Sequence, residues 1–225
     1  MNVAKRQLPE REAAEGKKVR GRARLRERRE REKEELRHEI LDAARELFVT
    51  EGFENVSMRR IADKIDYSPT TIYLYFKDKG DLLFHICEET FAKLIENMEA
   101  ISKDTDDPVE ALRKGCQAYV EFGLKYPNHY RVTFMNPTRV EMVAERQLNE
   151  ETMGMRAYCH LRGEVEACIK QQRFRHTDVD AATQALWAAS HGITSLFITK
   201  PNFHWVDRKQ LAAMLTDILI EGLKA

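Results

Sequence analysis

The chain has 225 residues, of which 43% are apolar and 33% are charged, and its 37 basic side chains balance 37 acidic ones. The mean hydropathy of −0.56 and the interruption of every apolar run by polar residues predict that no segment crosses a membrane. The polar first residues predict no secretory signal. The four cysteines form no C-x-x-C pair, which indicates reduced thiols in a cytoplasmic protein.

Residues 1–35 are predicted to form a charged N-terminal arm. From Met1 to Arg37 the chain has 14 basic and 8 acidic residues, and eight of the basic ones fall within residues 17–29. Such a block is either a solvated tail or an arm that follows the phosphate backbone of a nucleic acid. Residues 26–36 mix both signs and can extend a helix through ion pairs between residues i and i+4.

Residues 36–81 have the pattern of a helix-turn-helix unit. Apolar residues recur at helical spacing until Gly52, which is expected to end the first helix. Capping side chains then precede three further helices, at Ser57, Ser68 and Asp78. Two short helices joined by a tight turn and held by a longer preceding helix are the parts of this DNA-binding motif.

The second short helix, which begins at Pro69, presents hydroxyl groups on its polar face. Hydroxyls at a helix N-terminus can contact phosphates or base edges in DNA. The alternative is that the tyrosines cap a small helical core. The hydroxyl side chains are those of Thr70, Thr71, Tyr73 and Tyr75, and lysines follow at positions 77 and 79.

The stretch ILDAARELFVTEGFENVSMRRIADKIDYSPTTIYLYFKDKGDLL resembles the DNA-binding domain of the TetR/AcrR family of bacterial transcriptional regulators. It matches the family pattern AA-x-x-LF-x-x-x-G, then S-x-R-x-I-A, then S-x-x-T-x-Y-x-YF-x-x-K-x-x-L. Asp66 stands where the family usually has glycine in the turn, and aspartate tolerates the left-handed conformation better than most residues. The resemblance implies that DNA is contacted by Arg59, Ser68, Pro69, Thr70, Thr71, Tyr73, Tyr75 and Lys79.

Residues 82–225 are predicted to be helical throughout. The predicted helices cover residues 82–101, 108–127, 128–137, 141–174, 178–200 and 207–224. The long fourth one is expected to break near Gly154, and Thr177 is expected to cap the fifth, with Asp180 completing a capping box. The family resemblance implies a larger ligand-binding and dimerisation domain here. The segment LWAASHGITSLFI also resembles a subgroup with a Trp-His-Gly-type motif.

Aromatic residues of the middle helices are the candidates for contact with a small, largely apolar effector, because ligand pockets are mostly apolar with a few polar anchors. A stripe of such residues at helical spacing is also what a plain core looks like, and His191 also fits a hydrogen-bonded core or interface histidine. The candidates are Tyr119, Phe122, Tyr130, Phe134, Tyr158, Trp187 and His191.

The last two helices are the candidates for a homodimer interface. Small residues there permit close helix approach, and an apolar seam follows at helical spacing. The seam can instead be core within one chain, and the family resemblance implies the dimer. The candidate interface residues are Ala188, Gly192, Leu211, Leu215, Ile218 and Leu219.

The sequence therefore predicts an all-α regulator that binds a palindromic operator in double-stranded DNA and is released by an effector. Repression is the default that the family implies. The alternative is a DNA-binding architectural protein, or an activator, without a small-molecule effector. An enzyme is disfavoured because the sequence has no Gly-rich phosphate loop, no nucleophile elbow and no paired metal motif. We expect neither a metal nor a cofactor.

Overall fold

The computed structural model describes the backbone of residues 8–135 and 152–225, with side chains from residue 23 onward in those ranges. Its regular elements are helices, as the periodicity predicted, and a single 3-10 turn at Phe53–Asn55 separates the first two. No helix in the described ranges is long and apolar enough to cross a membrane. The helices are α1 (Leu8–Thr50), α2 (Met58–Lys64), α3 (Pro69–Tyr73), α4 (Lys79–Lys103), α5 (Pro108–Lys125), α6 (Pro127–Phe134), α7 (Met153–Lys170), α8 (Val179–Thr199) and α9 (Arg208–Leu223).

The predicted arm and the predicted first helix form one continuous helix. Helix α1 has 43 residues, which corresponds to about 65 Å at the helical rise per residue. Arg28 and Glu32 form an ion pair one turn apart at 2.7 Å, the kind of pair expected to extend the helix. Burial starts at Leu36 and is complete at Ile40. Residue 35 therefore marks a change of side-chain environment and not a break in the helix.

The three predicted caps of the helix-turn-helix unit are confirmed. The hydroxyl of Ser57 accepts from the Arg60 amide, and that of Ser68 accepts from the Thr71 amide, both at 3.1 Å. The Asp78 carboxylate accepts from the Asp81 amide at 2.8 Å. Each cap satisfies an amide that has no partner within its own helix.

Two residues with positive φ shape the turns of this unit. Gly52 ends the buried part of α1 at φ 83°, and Asp66 adopts φ 58° between α2 and α3. Asp66 therefore takes the left-handed conformation expected of it in the turn. The unit closes over a core to which all four of its helices contribute. Its fully buried members include Ile40, Leu41, Ile61, Ile72, Phe76, Leu82 and Leu83.

The remaining helices form a bundle with α5 at its centre, packed against α4, α7, α8 and α9. Helix α5 approaches α8 most closely at Gly123, where a Cβ atom would collide with the side chains of Thr194 and Tyr130. Glycine is thus required by the packing at this position. None of the four cysteines forms a disulfide, and only Cys159 is exposed.

Two predictions about helix starts need comment. The expectation that Thr177 caps α8 was wrong, because the capping carboxylate belongs to Asp178 and accepts from the Ala181 amide at 2.7 Å. Asp180 accordingly makes no capping box and accepts from Arg162 at 2.8 Å. The predicted helix over 141–174 lies partly outside the described residues. Its described part, α7, begins at Met153 with Gly154 in the first turn.

Candidate functional site

Helix α3 divides its residues between the core and the surface. Ile72 is fully buried, whereas Thr70 is exposed and Tyr73 keeps 55% of its surface exposed. Arg59 is exposed on α2, two residues after the Ser57 cap. Pro69 is half-buried at the first position of α3. The exposed side chains of α2 and α3 can therefore reach a partner without disturbing the core.

The hydroxyls at the start of α3 are engaged with each other. The Ser68 and Thr71 oxygens lie 2.8 Å apart, and the Ser68 oxygen also accepts from the Thr71 amide. Both residues thus fix the end of the helix, whatever else they contact. The ring of Tyr73 is exposed, so its hydroxyl is more accessible to a partner than the hydroxyls of Ser68 and Thr71.

Two of the residues that the family pattern associates with phosphate also hold the unit together. The Lys79 ammonium donates to the Phe53 carbonyl at 2.6 Å and lies 4.3 Å from the centre of the Phe53 ring. Tyr75 lies beyond the end of α3 and packs, half-buried, against the core. The sequence pattern does not reveal these packing roles. The carbonyl that accepts from Lys79 belongs to a 3-10 turn 26 residues earlier in the chain, and a local pattern does not predict so distant a contact.

A cavity of about 370 Å³ lies between the helices of the bundle and opens to the surface, because two of its lining residues, Met155 and Trp187, are exposed. Four of the seven aromatic and histidine candidates line it, and none of the lining residues that the structure describes carries a charge. Helix α4 supplies lining residues that the sequence analysis did not single out, because the pairing of helices is not evident from periodicity. The lining consists of Phe91, Leu94, Met98, Tyr119, Phe134, Gly154, Met155, Ala157, Tyr158, Leu161 and Trp187.

The other three candidates lie outside the lining. Phe122 is buried against the ring of Tyr126, with ring centres 5.3 Å apart. Tyr130 is fully buried, and its hydroxyl lies 2.6 Å from Nδ1 of His191 and 3.1 Å from the Tyr119 hydroxyl. The His191 Nε2 atom lies 3.2 Å from the Ser195 hydroxyl. A hydrogen-bonded cluster thus backs the cavity at Tyr119.

Burial favours the uncharged forms of His191 and Tyr130 in this cluster. It lowers the pKa of His191 below its ordinary value and raises the pKa of Tyr130 to about 12. A neutral imidazole can accept from one hydroxyl and donate to another. The cluster therefore offers hydrogen bonds, and no charge, behind the cavity wall.

Helix α6 contacts both parts of the molecule. Val132 belongs to the core of the helix-turn-helix unit. Phe134, two residues later, lines the cavity and packs against the rings of Phe91 and Tyr119. The Arg131 guanidinium donates to the Ile198 carbonyl at the end of α8, at 3.1 Å. One short helix therefore contacts both the cavity and the core of the helix-turn-helix unit.

Helices α8 and α9 expose an apolar surface. Met214 and Ile218 of α9 are 60% and 63% exposed, and Trp187 and Leu196 of α8 are exposed as well. A Cβ atom at Gly192 would have no described atom within 4 Å, so this position faces open space. Among the other candidate interface residues Ala188 is exposed, whereas three leucines are half-buried and pack against cores of their own chain: Leu211, Leu215 and Leu219.

Within the residues that the structure describes, no group of three or more His, Cys, Asp or Glu side chains is arranged to hold a metal ion.

Comparisons with known proteins agree with this architecture. A family model described as bacterial regulatory proteins, tetR family, matches residues 40–86, and a tetracyclin repressor-like C-terminal domain matches residues 112–219. An HTH-type transcriptional regulator of Staphylococcus aureus (strain bovine RF122 / ET3-1) is 33% identical over 88 residues, which are 39% of this chain and 48% of that protein. The match thus spans about half the length of this relative.

Solved structures share the fold over most of the chain. A tetR-family regulatory protein from Rhodococcus RHA1 has a TM-score of 0.69 at 21% identity, covering 84% of this chain and 97% of that one. The regulator FadR from Bacillus subtilis, in complex with stearoyl-CoA, has a TM-score of 0.72 at 23% identity, covering 83% and 98%. The two family models together match more than half of the chain, one at each functional part. The chain belongs to the TetR family of bacterial regulatory proteins.

Proposed function

We propose that this protein is a transcriptional repressor that binds a palindromic operator as a homodimer and leaves it when a small, largely apolar molecule enters the cavity. One observation carries the proposal: helix α6 supplies Val132 to the DNA-binding core and Phe134 to the cavity lining. A ligand that moves Phe134 therefore acts on the packing that orients α2 and α3. The helix-turn-helix unit then has two arrangements, one that fits the operator and one that does not. The ligand lowers operator affinity to the extent that it binds the second arrangement more tightly than the first.

The cavity lining supports an uncharged effector. Its volume of about 370 Å³ lies at the low end of the range that ligand sites occupy. A buried charge needs a partner, and the described lining residues offer none. The stearoyl-CoA in the B. subtilis FadR complex carries an apolar chain that suits such a lining, whereas its phosphates would need cations elsewhere.

The exposed apolar residues of α8 and α9 support the dimer. Large exposed apolar patches on a folded chain mark interaction sites, and Met214 and Ile218 lie one turn apart on α9. A two-fold dimer places two copies of α3 on two half-sites, which accounts for operator symmetry. The proposed interface is therefore centred on the exposed residues and not on the half-buried leucines.

The experiment has two stages. Duplexes selected from a random pool by the purified protein give the operator, and a thermal-shift screen of uncharged apolar compounds gives ligands that stabilise the protein. Operator affinity is then titrated with and without each stabilising ligand. A palindromic consensus and a ligand-dependent loss of affinity are expected. Selection without a consensus would favour an architectural protein, and a ligand that raises affinity would favour an activator.

A further inference from the structure

The face of α1 that packs on the helix-turn-helix unit continues beyond that unit as a row of basic side chains. Leu36, Ile40 and Leu47 lie on this face and pack into the core. The same alternation of three- and four-residue steps leads back from Leu36 to Lys33, Arg29 and Arg26. Residues spaced in this way lie on one side of a helix. We call Arg26, Arg29 and Lys33 the basic stripe.

The basic stripe differs from the opposite side of the helix. Arg24, Arg28 and Arg31 lie there together with Glu35, whereas Glu30 and Glu32 lie on the two flanks between these sides. Arg28 is ion-paired to Glu32 at 2.7 Å. Among the side chains described from residue 23 onward, no carboxylate is within ion-pair distance of the basic stripe. Three exposed cations are thus aligned on one face, whereas one of the three arginines of the opposite face, Arg28, is ion-paired.

The basic stripe begins beside the recognition unit. The Arg37 guanidinium lies 5.3 Å from the centre of the Phe76 ring, and Phe76 follows the end of α3 by three residues. Lys33 is one turn before Arg37, and Arg26 is about 10 Å further along the helix. Arg37 also donates to Glu89 of α4 at 3.2 Å. Helix α1 therefore leaves the unit beside α4 and the segment that follows α3, and the basic stripe faces the side on which the unit lies.

We propose that the basic stripe binds backbone phosphates of duplex DNA flanking the segment held by α2 and α3. This proposal rests on the DNA binding proposed above and assigns the flanking contacts to one face of the arm. Aligned cations on a rigid helix match a polyanion that runs past the recognition unit. Phosphate contacts carry no sequence information. The stripe therefore strengthens binding to every duplex and leaves base preference unchanged.

The test compares two triple variants of the full chain. R26Q/R29Q/K33Q neutralises the basic stripe, and R24Q/R28Q/R31Q removes the same three charges from the opposite face. Glutamine keeps a high helix propensity, and circular dichroism checks the helix content of both. The probe is a labelled random-sequence duplex, titrated by fluorescence anisotropy at several salt concentrations. A third variant, R26K/R29K, keeps the stripe charged.

Loss of three phosphate contacts lowers the slope of log K against log salt by about 2.7 per protomer. On raising salt from about 50 to 200 mM, wild-type affinity is then expected to fall about 40-fold more than that of the stripe variant for each protomer that contacts the duplex. The opposite-face variant and R26K/R29K are expected to keep the wild-type slope. Equal slopes for the two triple variants overturn the proposal, whether both fall or neither does.

The failure of the proposal is distinguishable from failure of DNA binding itself. If the wild-type protein binds the duplex and the selected operator but the stripe variant keeps its slope, only the flanking contact is wrong. If the wild-type protein binds neither probe, DNA binding and the basic-stripe proposal both fail. If R26K/R29K behaves like the stripe neutralisation, side-chain shape and not charge is responsible, which also overturns the proposal.

Discussion

The phenol oxygen of Tyr130 lies 2.6 Å from Nδ1 of His191, and this contact joins α6 to α8 behind the cavity. The two rings are also stacked, with centres 5.6 Å apart. Tyr119, which lines the cavity, reaches the same pair through its hydroxyl. The position of α6 is therefore fixed by a hydrogen-bonded cluster that lies directly behind the cavity in which we propose that an effector binds.

Tyr130→Phe is expected to lower the free energy of unfolding by about 1 to 3 kcal/mol, because Nδ1 of His191 loses its near partner in a buried place. Tyr158→Phe is the matched control. Its hydroxyl lies 3.4 Å from Asp180 at an exposed position, so its removal should change stability by less than about 0.5 kcal/mol. Urea unfolding of both variants measures the difference. Equal losses of unfolding free energy in the two variants would mean that the buried hydrogen bond of Tyr130 stabilises the fold no more than the exposed one of Tyr158.

Tyr73→Phe is expected to weaken operator binding and leave the fold intact, because the ring is exposed and only its hydroxyl is removed. Thr71→Ala should weaken binding as well, but it also removes the hydroxyl that pairs with Ser68. Tyr73→Phe is therefore the sharper variant. Gel-shift titration with the selected operator, beside a thermal melt, measures both properties. Wild-type affinity for Tyr73→Phe would remove this hydroxyl from the interface.

Ile218→Arg is expected to convert the dimer into a monomer without unfolding it, because the side chain is exposed in one chain and would become buried between two. Leu215→Arg is less informative, since Leu215 packs against the core of its own chain. Light scattering gives the mass, and operator affinity should fall with it. A variant that stays dimeric would place the interface away from α9.

Acid should destabilise the protein through His129 on α6. Burial, together with the charge of Arg45, lowers the pKa of His129 from 6.5 to about 4 in the folded state. Between these two values the unfolded chain binds a proton that the folded chain does not, so stability falls as the pH falls through this window. Above the window the contribution is constant.

His129→Gln removes the titrating group and should flatten the dependence of unfolding free energy on pH between about 6.5 and 4. Urea unfolding at several pH values, for the wild type and the variant, measures both curves. Parallel curves would show that His129 is protonated alike in the folded and unfolded states.

The sequence predicted local features of this fold well and long-range ones poorly. Ser57, Ser68 and Asp78 act as caps because capping depends on the next three residues alone. At the start of α8 two good capping residues are adjacent, Thr177 and Asp178, and periodicity does not choose between them. In the structure the cap is Asp178, whose carboxylate accepts from the Ala181 amide.

In the candidate site, too, the local features were predicted from the sequence and the long-range ones were not. The exposed residues of α3 follow from the family pattern and from the apolar spacing of Ile72 and Phe76. The cavity does not, because aromatic residues at helical spacing serve a core and a pocket equally well. Tyr130 faces inward because Gly123 lets α5, α6 and α8 approach closely around it. Which helices approach is a property of the whole bundle.

The central claim is that the cavity and the DNA-binding unit are coupled through α6. The direct measurement is operator affinity at saturating ligand and without ligand, for the wild type and for Ala157→Leu, which fills part of the cavity. The dissociation constant of the wild type is expected to rise about 5- to 150-fold with ligand, and operator should weaken ligand binding by the same factor. Ala157→Leu should bind operator alike in both conditions. A ligand that occupies the wild-type cavity and leaves operator affinity unchanged would contradict the account.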